Sequence, residues 1–430
     1  MKILEKNKSD VRWLSLHLRL CLMVFTVFST VAMAGAEPAE VSSFEELKGA
    51  ISDGKTEIAV KNAINFTADG PVINYDNIVI SGLGENAPVL LNGNDNYKFF
   101  ISGENAKNIS LKNLHLDNGS SGVGSGYENG GGAIHLNAGV VVSLEGLTFS
   151  NSQTRSQGGA IYSWGTDNNN RNSLNFTGKT IFDGNKTIDI ISNGGGAIYA
   201  YFSTLTFGGG PTTFKNNKSA GNGGAIYGGD GTKLTFGGDV TFTGNSSANY
   251  GGAIFSLGKN ATKNILEFEG NANFVGNSTT GNVIGDGGAI YIWYSSLTFG
   301  KLLATFKNNR ARCGGAIFVS SSASIEFNNG LLLIENTTEE VDSGAIDMNG
   351  SKNRLATITI VQKNPLVPTE FRGNTSGDGG HNAVFMQQYS QLNLTAHNGS
   401  SINISDVFTG DKTKDTNIIT INRGDGWINI

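Results

Sequence analysis

The sequence predicts an all-β chain: a right-handed parallel β-helix with three sheets, one coil per repeat and a short N-terminal capping helix. Three observations carry this. The tetrapeptide GGAI starts at Gly131, Gly158, Gly195, Gly223, Gly251, Gly287 and Gly314, with a weaker SGAI at Ser343, at intervals of 27 to 37 residues. After most copies comes an apolar-polar-apolar triplet, such as Leu205-Thr206-Phe207, Leu234-Thr235-Phe236, Leu266-Glu267-Phe268, Leu297-Thr298-Phe299 and Ile325-Glu326-Phe327. A phenylalanine with asparagine three residues on then follows: Phe182/Asn185, Phe214/Asn217, Phe242/Asn245, Phe274/Asn277, Phe306/Asn309 and Phe371/Asn374, with Leu333/Asn336 a weaker member. Short period-2 segments separated by Gly, Asn, Asp and Ser are strand signals. The helical faces that other repeats of this length need are absent.

Taken in order, the chain opens with an export signal over residues 1–36. Five basic residues precede the apolar run from Leu20 to Ala34, which ends in small residues. That run is shorter than the roughly 20 residues a membrane-spanning helix takes. The remainder, 37–430, reads as a single domain. In Ser42–Gly54, Ser43 with Glu46 forms a capping box, and Phe44, Leu47, Ala50 and Ile51 make one apolar face. A helix over about 43–53 would cover the open edge of the first coil. Residues 56–130 alternate without the repeat consensus and read as early coils. The repeats proper occupy about 131–385.

Within a coil, the outer residues of LTF point inward and the middle one outward. The isoleucine of GGAI points inward, as do the residues two places on, from Leu136 and Ser163 to Val319 and Met348. The glycines belong at a corner where φ is positive and the neighbouring coil lies too close for a side chain. Asn185, Asn217, Asn245, Asn277, Asn309 and Asn374 belong at another corner, stacked amide on amide.

Tandem GGAI and F-x-x-N motifs resemble those of the polymorphic outer-membrane proteins of chlamydiae, over about Gly131 to Asn374. The resemblance implies an adhesin passenger, exported by the Sec route and displayed at the cell surface or outer membrane by a C-terminal β-barrel. Phe149-Ser150-Asn151 reads as an F-x-x-N one residue short, and Gly379-Gly380-His381-Asn382-Ala383-Val384 replaces a GGAI. Segments after Gly380 such as "QLNLTA" and "NIITINR" read as further coils, not barrel strands. The expectation is a truncated passenger, or one that is released or held by a separate barrel or other partner, at the cell surface, in the outer membrane or outside the cell.

The residue after each GGAI is His135, Tyr162, Tyr199, Tyr227, Phe255, Tyr291 or Phe318, with Asp347 after SGAI. Trp164, Tyr201 and Trp293 lie two places beyond. Parity puts these outside the coil, which predicts an external aromatic stripe suited to a cell-surface protein or glycan of a host or neighbouring cell. Stacking between strands is the structural alternative. Arg423-Gly424-Asp425 is the tripeptide integrins read, in a turn flanked by glycine.

The net charge is −5, and removing the +3 of residues 1–36 leaves about −8 on the body. No basic cluster offers a site for nucleic acid. A polysaccharide lyase or hydrolase would draw on Glu339, Glu340, Asp342 and Asp347, on Asp378 beside His381, or on His115 and Asp117. None of these sets repeats from coil to coil. "GGDGTKLTF" resembles a calcium nonapeptide but occurs once. No metal or cofactor motif is present, and Cys313 is the one cysteine beyond the leader. The expected function is adhesion without catalysis; the alternatives are a β-helix carbohydrate-active enzyme and a structural surface-layer component.

Overall fold

A computed structural model describes residues 37–430 apart from 85–86, 123–128, 190–192, 282–283, 342, 411–416, 423 and 430. The export signal predicted for 1–36 therefore lies outside the described residues, as do Asp342 and Arg423. The chain divides into Met1–Ala39 and Glu40–Ile430.

Residues Glu40–Ile430 form a parallel β-solenoid. Among the described residues, successive coils add strands in register to three long sheets of fourteen, thirteen and twelve strands. The LTF triplets build the first: Leu205, Leu234, Leu266 and Leu297 pair in one column and Phe207, Phe236, Phe268 and Phe299 in another. The F-x-x-N phenylalanines build the second and the GGAI isoleucines the third. A fourth sheet, of seven strands, goes beyond the three expected. Its members, such as Lys218–Ser219 and Ser246–Ser247, directly follow the ladder asparagines. Two residues per strand leave no alternation to read.

Two repeating devices hold the coils together. Phe149, Phe182, Phe214, Phe242, Phe274 and Phe306 stack with centroids 4.7–4.8 Å apart and planes within 4°. That spacing matches the rise between paired strands. Beside them runs the asparagine ladder. The Nδ2 of Asn217 donates to Asn245 Oδ1 at 2.9 Å and to the Phe182 carbonyl at 3.0 Å. The backbone N–H of Asn217 also donates to Asn245 Oδ1. The pattern repeats from Asn185 through Asn336 and Asn374, and the last rung is the Asp406 carboxylate, 2.7 Å from Asn374 Nδ2. All seven asparagines are fully buried, so each bond satisfies a group water cannot reach. Phe149 sits in the ring column and Ser152 in the asparagine column, where the Ser152 N–H donates to Asn185 Oδ1. The first motif is thus full length, with serine in the asparagine place, and not one residue short.

The two glycines of GGAI act differently. The first adopts positive φ, as at Gly223 (62°). The second approaches the next coil: a Cβ on Gly224 would lie 2.0 Å from the Gly252 carbonyl oxygen. At the N-terminal end, a helix covers Phe44–Ser52 with Phe44, Leu47 and Ile51 buried. The Glu46 N–H donates to Ser43 Oγ, and Glu46 Oε2 accepts from the Ser42 N–H at 2.7 Å. Phe44 packs on Phe66 of the first coil, centroids 4.8 Å apart.

Candidate functional site

The expected aromatic stripe is on the predicted side of its sheet but it is not exposed. Tyr162, Tyr199, Tyr227, Phe255, Tyr291 and Phe318 are all buried, none more than 7% exposed. They form a cluster separate from the solenoid core, with Cys313 among them. Parity fixes the side of the sheet, but at Gly130, Tyr250 and Cys313 the chain just before a GGAI folds back over it. The Tyr162 ring lies against Gly130, where a Cβ would come within 2.5 Å of it. Tyr250 covers Tyr291 at 4.7 Å between centroids. His135 is buried as well, with Nδ1 3.0 Å from the Gly130 carbonyl.

Only the rim of this cluster reaches solvent. Trp164 and Tyr201 are half-buried, and Trp293 is 39% exposed. At the rim, Trp164 pairs with Tyr201 and Leu257 with Trp293, and between these pairs the chain carries Gly229, one residue past the Ala200, Gly228 and Ser256 pairing. Trp164 and Tyr201 are stacked, centroids 4.2 Å apart and planes 12° from parallel. Without a side chain at Gly229, the Tyr201 ring leans across, since a Cβ there would be 2.6 Å from it. Its hydroxyl donates to Asp230 Oδ2 at 3.0 Å. One coil on, a tight turn closed by mutual backbone bonds between Lys259 and Thr262 carries Lys259, whose Nζ lies 2.5 Å from the same carboxylate oxygen. The result is a groove of about 400 Å³ bordered by Trp164, Tyr201, Tyr227, Asp230, Lys259 and Trp293.

Asp230 was legible only as part of the lone calcium-like stretch, and Lys259 carried no signal. Among the described residues, no group of carboxylate, histidine and cysteine side chains could hold a metal ion.

The other candidates fall into place around ordinary contacts. Ser150 joins His115 and Asp117: its Oγ donates to Asp117 Oδ1 at 2.5 Å and lies 2.6 Å from His115 Nε2. The serine proton is thus committed to the carboxylate, which leaves His115 as donor to Oγ, the reverse of a base activating a nucleophile. Burial also lowers the His115 pKa. Glu339 and Glu340 pair with Arg310 and Arg312 at 3.2 Å each. Asp378 is bound by Ser376 and the Gly380 N–H, and His381 lies 3.5 Å from Asp406, so the two do not pair with each other. Gly424 and Asp425 are exposed; the Asp425 carboxylate accepts from the Asn398 N–H at 2.6 Å.

Asp347 interrupts the buried ring column, paired with Phe318 on one side and with the buried Phe385 on the other. It is fully buried, bonded to Ser343 at 3.1 Å and Gln387 at 2.9 Å. Burial pushes its carboxyl up to about 8, with Asp286 adding to the effect and Arg312 opposing it. Cys313 is a buried free thiol, and burial raises its pKa above the ordinary range. No helix among the described residues is long and apolar enough to cross a membrane, which says nothing of a β-barrel.

The chain matches the Chlamydia polymorphic membrane protein repeat at residues 179–201, 211–229, 239–257 and 304–320. Each match spans one F-x-x-N motif and the GGAI that follows it. No curated protein and no solved structure matches the chain.

Proposed function

We propose that this chain, a β-solenoid carrying polymorphic-membrane-protein repeats, is the exported passenger of a bacterial surface protein and acts as an adhesin. The single observation behind this is the repeat match, made on coils whose two motifs are the fold's own stacking devices. The outer-membrane character of that repeat family favours display at the cell surface. A solenoid suits such a role because its coils offer a long lateral face without altering the core. Binding would be by surface contact and not by catalysis, with a protein or glycan of a host or neighbouring cell as partner.

The test has two arms. Antibodies to the solenoid should label intact bacteria that express the full gene, and protease added outside should remove the label. The purified solenoid should coat target cells and reduce bacterial attachment. Labelling without any effect on attachment would replace adhesion with a structural surface role. Failure to label intact cells would remove the passenger reading altogether.

A further inference from the structure

We infer that the groove between Tyr201 and Trp293 binds a neutral oligosaccharide, with a pyranose ring against the aromatic faces and its hydroxyls bonded to Asp230 and Lys259. This deepens the surface-passenger reading and rests on it for where the sugar is met.

The aromatic column supplies the first argument. Trp164 and Tyr201 stack as successive rungs, the Tyr201 ring leans over Gly229, and across the groove Leu257 pairs with Trp293. The Trp164 and Tyr201 rings lie face to face, so a flat ligand lying parallel to them on the open side of Tyr201 extends that stack. A pyranose presents such a flat C–H face, and aromatic rings with one polar end suit surfaces that are part apolar and part wet. Tyr201 to Trp293 spans three coils, about 14 Å at strand spacing.

The second argument is the polar edge. The Asp230 side chain is 6% exposed, held by the Tyr201 hydroxyl and the Lys259 ammonium, while Lys259 is 70% exposed. Acceptor and donor stand side by side, as adjacent sugar hydroxyls require. The pair is neutral overall, so a polyanion gains little from it. A wholly apolar protein partner would strip water from the ion pair and return no hydrogen bond, at a desolvation cost. Hydroxyls replace that water. Ligand sites of this kind combine apolar walls with a few placed polar groups.

The test is titration of the purified chain with neutral tetrasaccharides, one of β-linked glucose and one of alternating galactose and N-acetylglucosamine, read by tryptophan fluorescence. At least one should give a saturable change with Kd below about 1 mM. Trp293→Ala and Lys259→Met should each weaken it about tenfold or more. Trp427→Ala, an exposed tryptophan outside the groove, should leave it unchanged. Circular dichroism of each variant should match the parent. No saturable change with either sugar at about 10 mM, binding indifferent to both groove variants, or response to sulfated polysaccharide alone would each overturn the inference. If the chain coats cells yet ignores both sugars, the groove inference fails and the passenger reading stands. If sugars bind but intact bacteria are never labelled, the reverse holds.

Discussion

Three ladders of aromatic rings climb the same coils, and of these the inner F-x-x-N column and the outer column differ most in regularity. The inner phenylalanine ladder keeps its planes within 4° at 4.7–4.8 Å. The outer ladder, from His135 to Phe318, spaces its rings 4.8–5.5 Å apart and tilts them by up to 40°. Every inner ring meets copies of itself, the asparagine ladder and, edge-on, the equally repetitive LTF phenylalanines, so one solution recurs. The outer rings meet a covering segment that changes from coil to coil, and at the rim they meet solvent. Regularity marks residues that answer to the stack; irregularity marks residues that answer to something else.

The sharpest way to break the inner order is Gly224→Ala. Its Cβ would sit 2.0 Å from the Gly252 carbonyl oxygen, a backbone atom that cannot rotate away. A loss of about 4 kcal/mol or more is expected, read as a fall in the urea midpoint and faster hydrogen exchange in the coils on either side. Gly228→Ala is the contrast: the nearest atom is Thr232 Cγ2 at 3.4 Å, and the same column holds Ala200. It should be close to neutral.

Next is Asn245→Ala. It removes the acceptor of the Asn217 N–H and Nδ2 and the donor to the Phe214 carbonyl, all buried. Orphaned buried groups set the cost at about 3 kcal/mol. Phe242→Leu should cost only about 1 kcal/mol, because Leu333 already occupies that column between Phe306 and Phe371. Equal losses for the two variants would mean that ring stacking, not amide pairing, sets the register.

This contrast also explains what could be read from the residues alone. GGAI and F-x-x-N announced both the coil and its corners, because each is imposed by identical neighbours. Strands such as Lys218–Ser219 were too short to carry a pattern. The burial of Tyr199 was missed because alternation says which side of a sheet a residue takes, not what lies above it. Tyr250 and Cys313, apolar residues just before a GGAI, were the available signal. The groove depends on Gly229 lying under the Tyr201 ring beside Leu257, which only the folded coils reveal. Asp230 and Lys259 meet 29 residues apart on successive coils.

A titratable break in the outer ladder, between Phe318 and Phe385, gives a third prediction. Asp347 takes the place of a ring, and burial raises its carboxyl to about 8 from the ordinary 3.8. Between those values the folded chain holds a proton that the unfolded chain has released, so stability falls as pH rises. Below that window both states are protonated and the contribution to the slope vanishes. One proton corresponds to at most about 1.4 kcal/mol per pH unit. Asp347→Asn keeps the shape, removes the titration and should flatten that decline, measured as urea midpoints from pH 4 to 8. A slope unchanged by the variant would place the pH response elsewhere, with Asp286 beside Arg312 the next group to replace.

The smallest expected effect bears most on function. Trp293→Ala removes a large ring, yet that ring stands at the rim and is 39% exposed. Its nearest aromatic neighbour is Tyr294, 6.0 Å away. Truncating a ring of the inner column, as in Phe242→Ala, should cost about 3–5 kcal/mol. At Trp293 the cost should be about 1 kcal/mol or less, since no cavity closes around the missing atoms. Paired with loss of sugar binding, so small a change would show a tryptophan kept for what it touches outside the fold. A loss comparable to the inner column would instead make Trp293 a rung of the ladder, and the groove would have no ring to spare for a ligand.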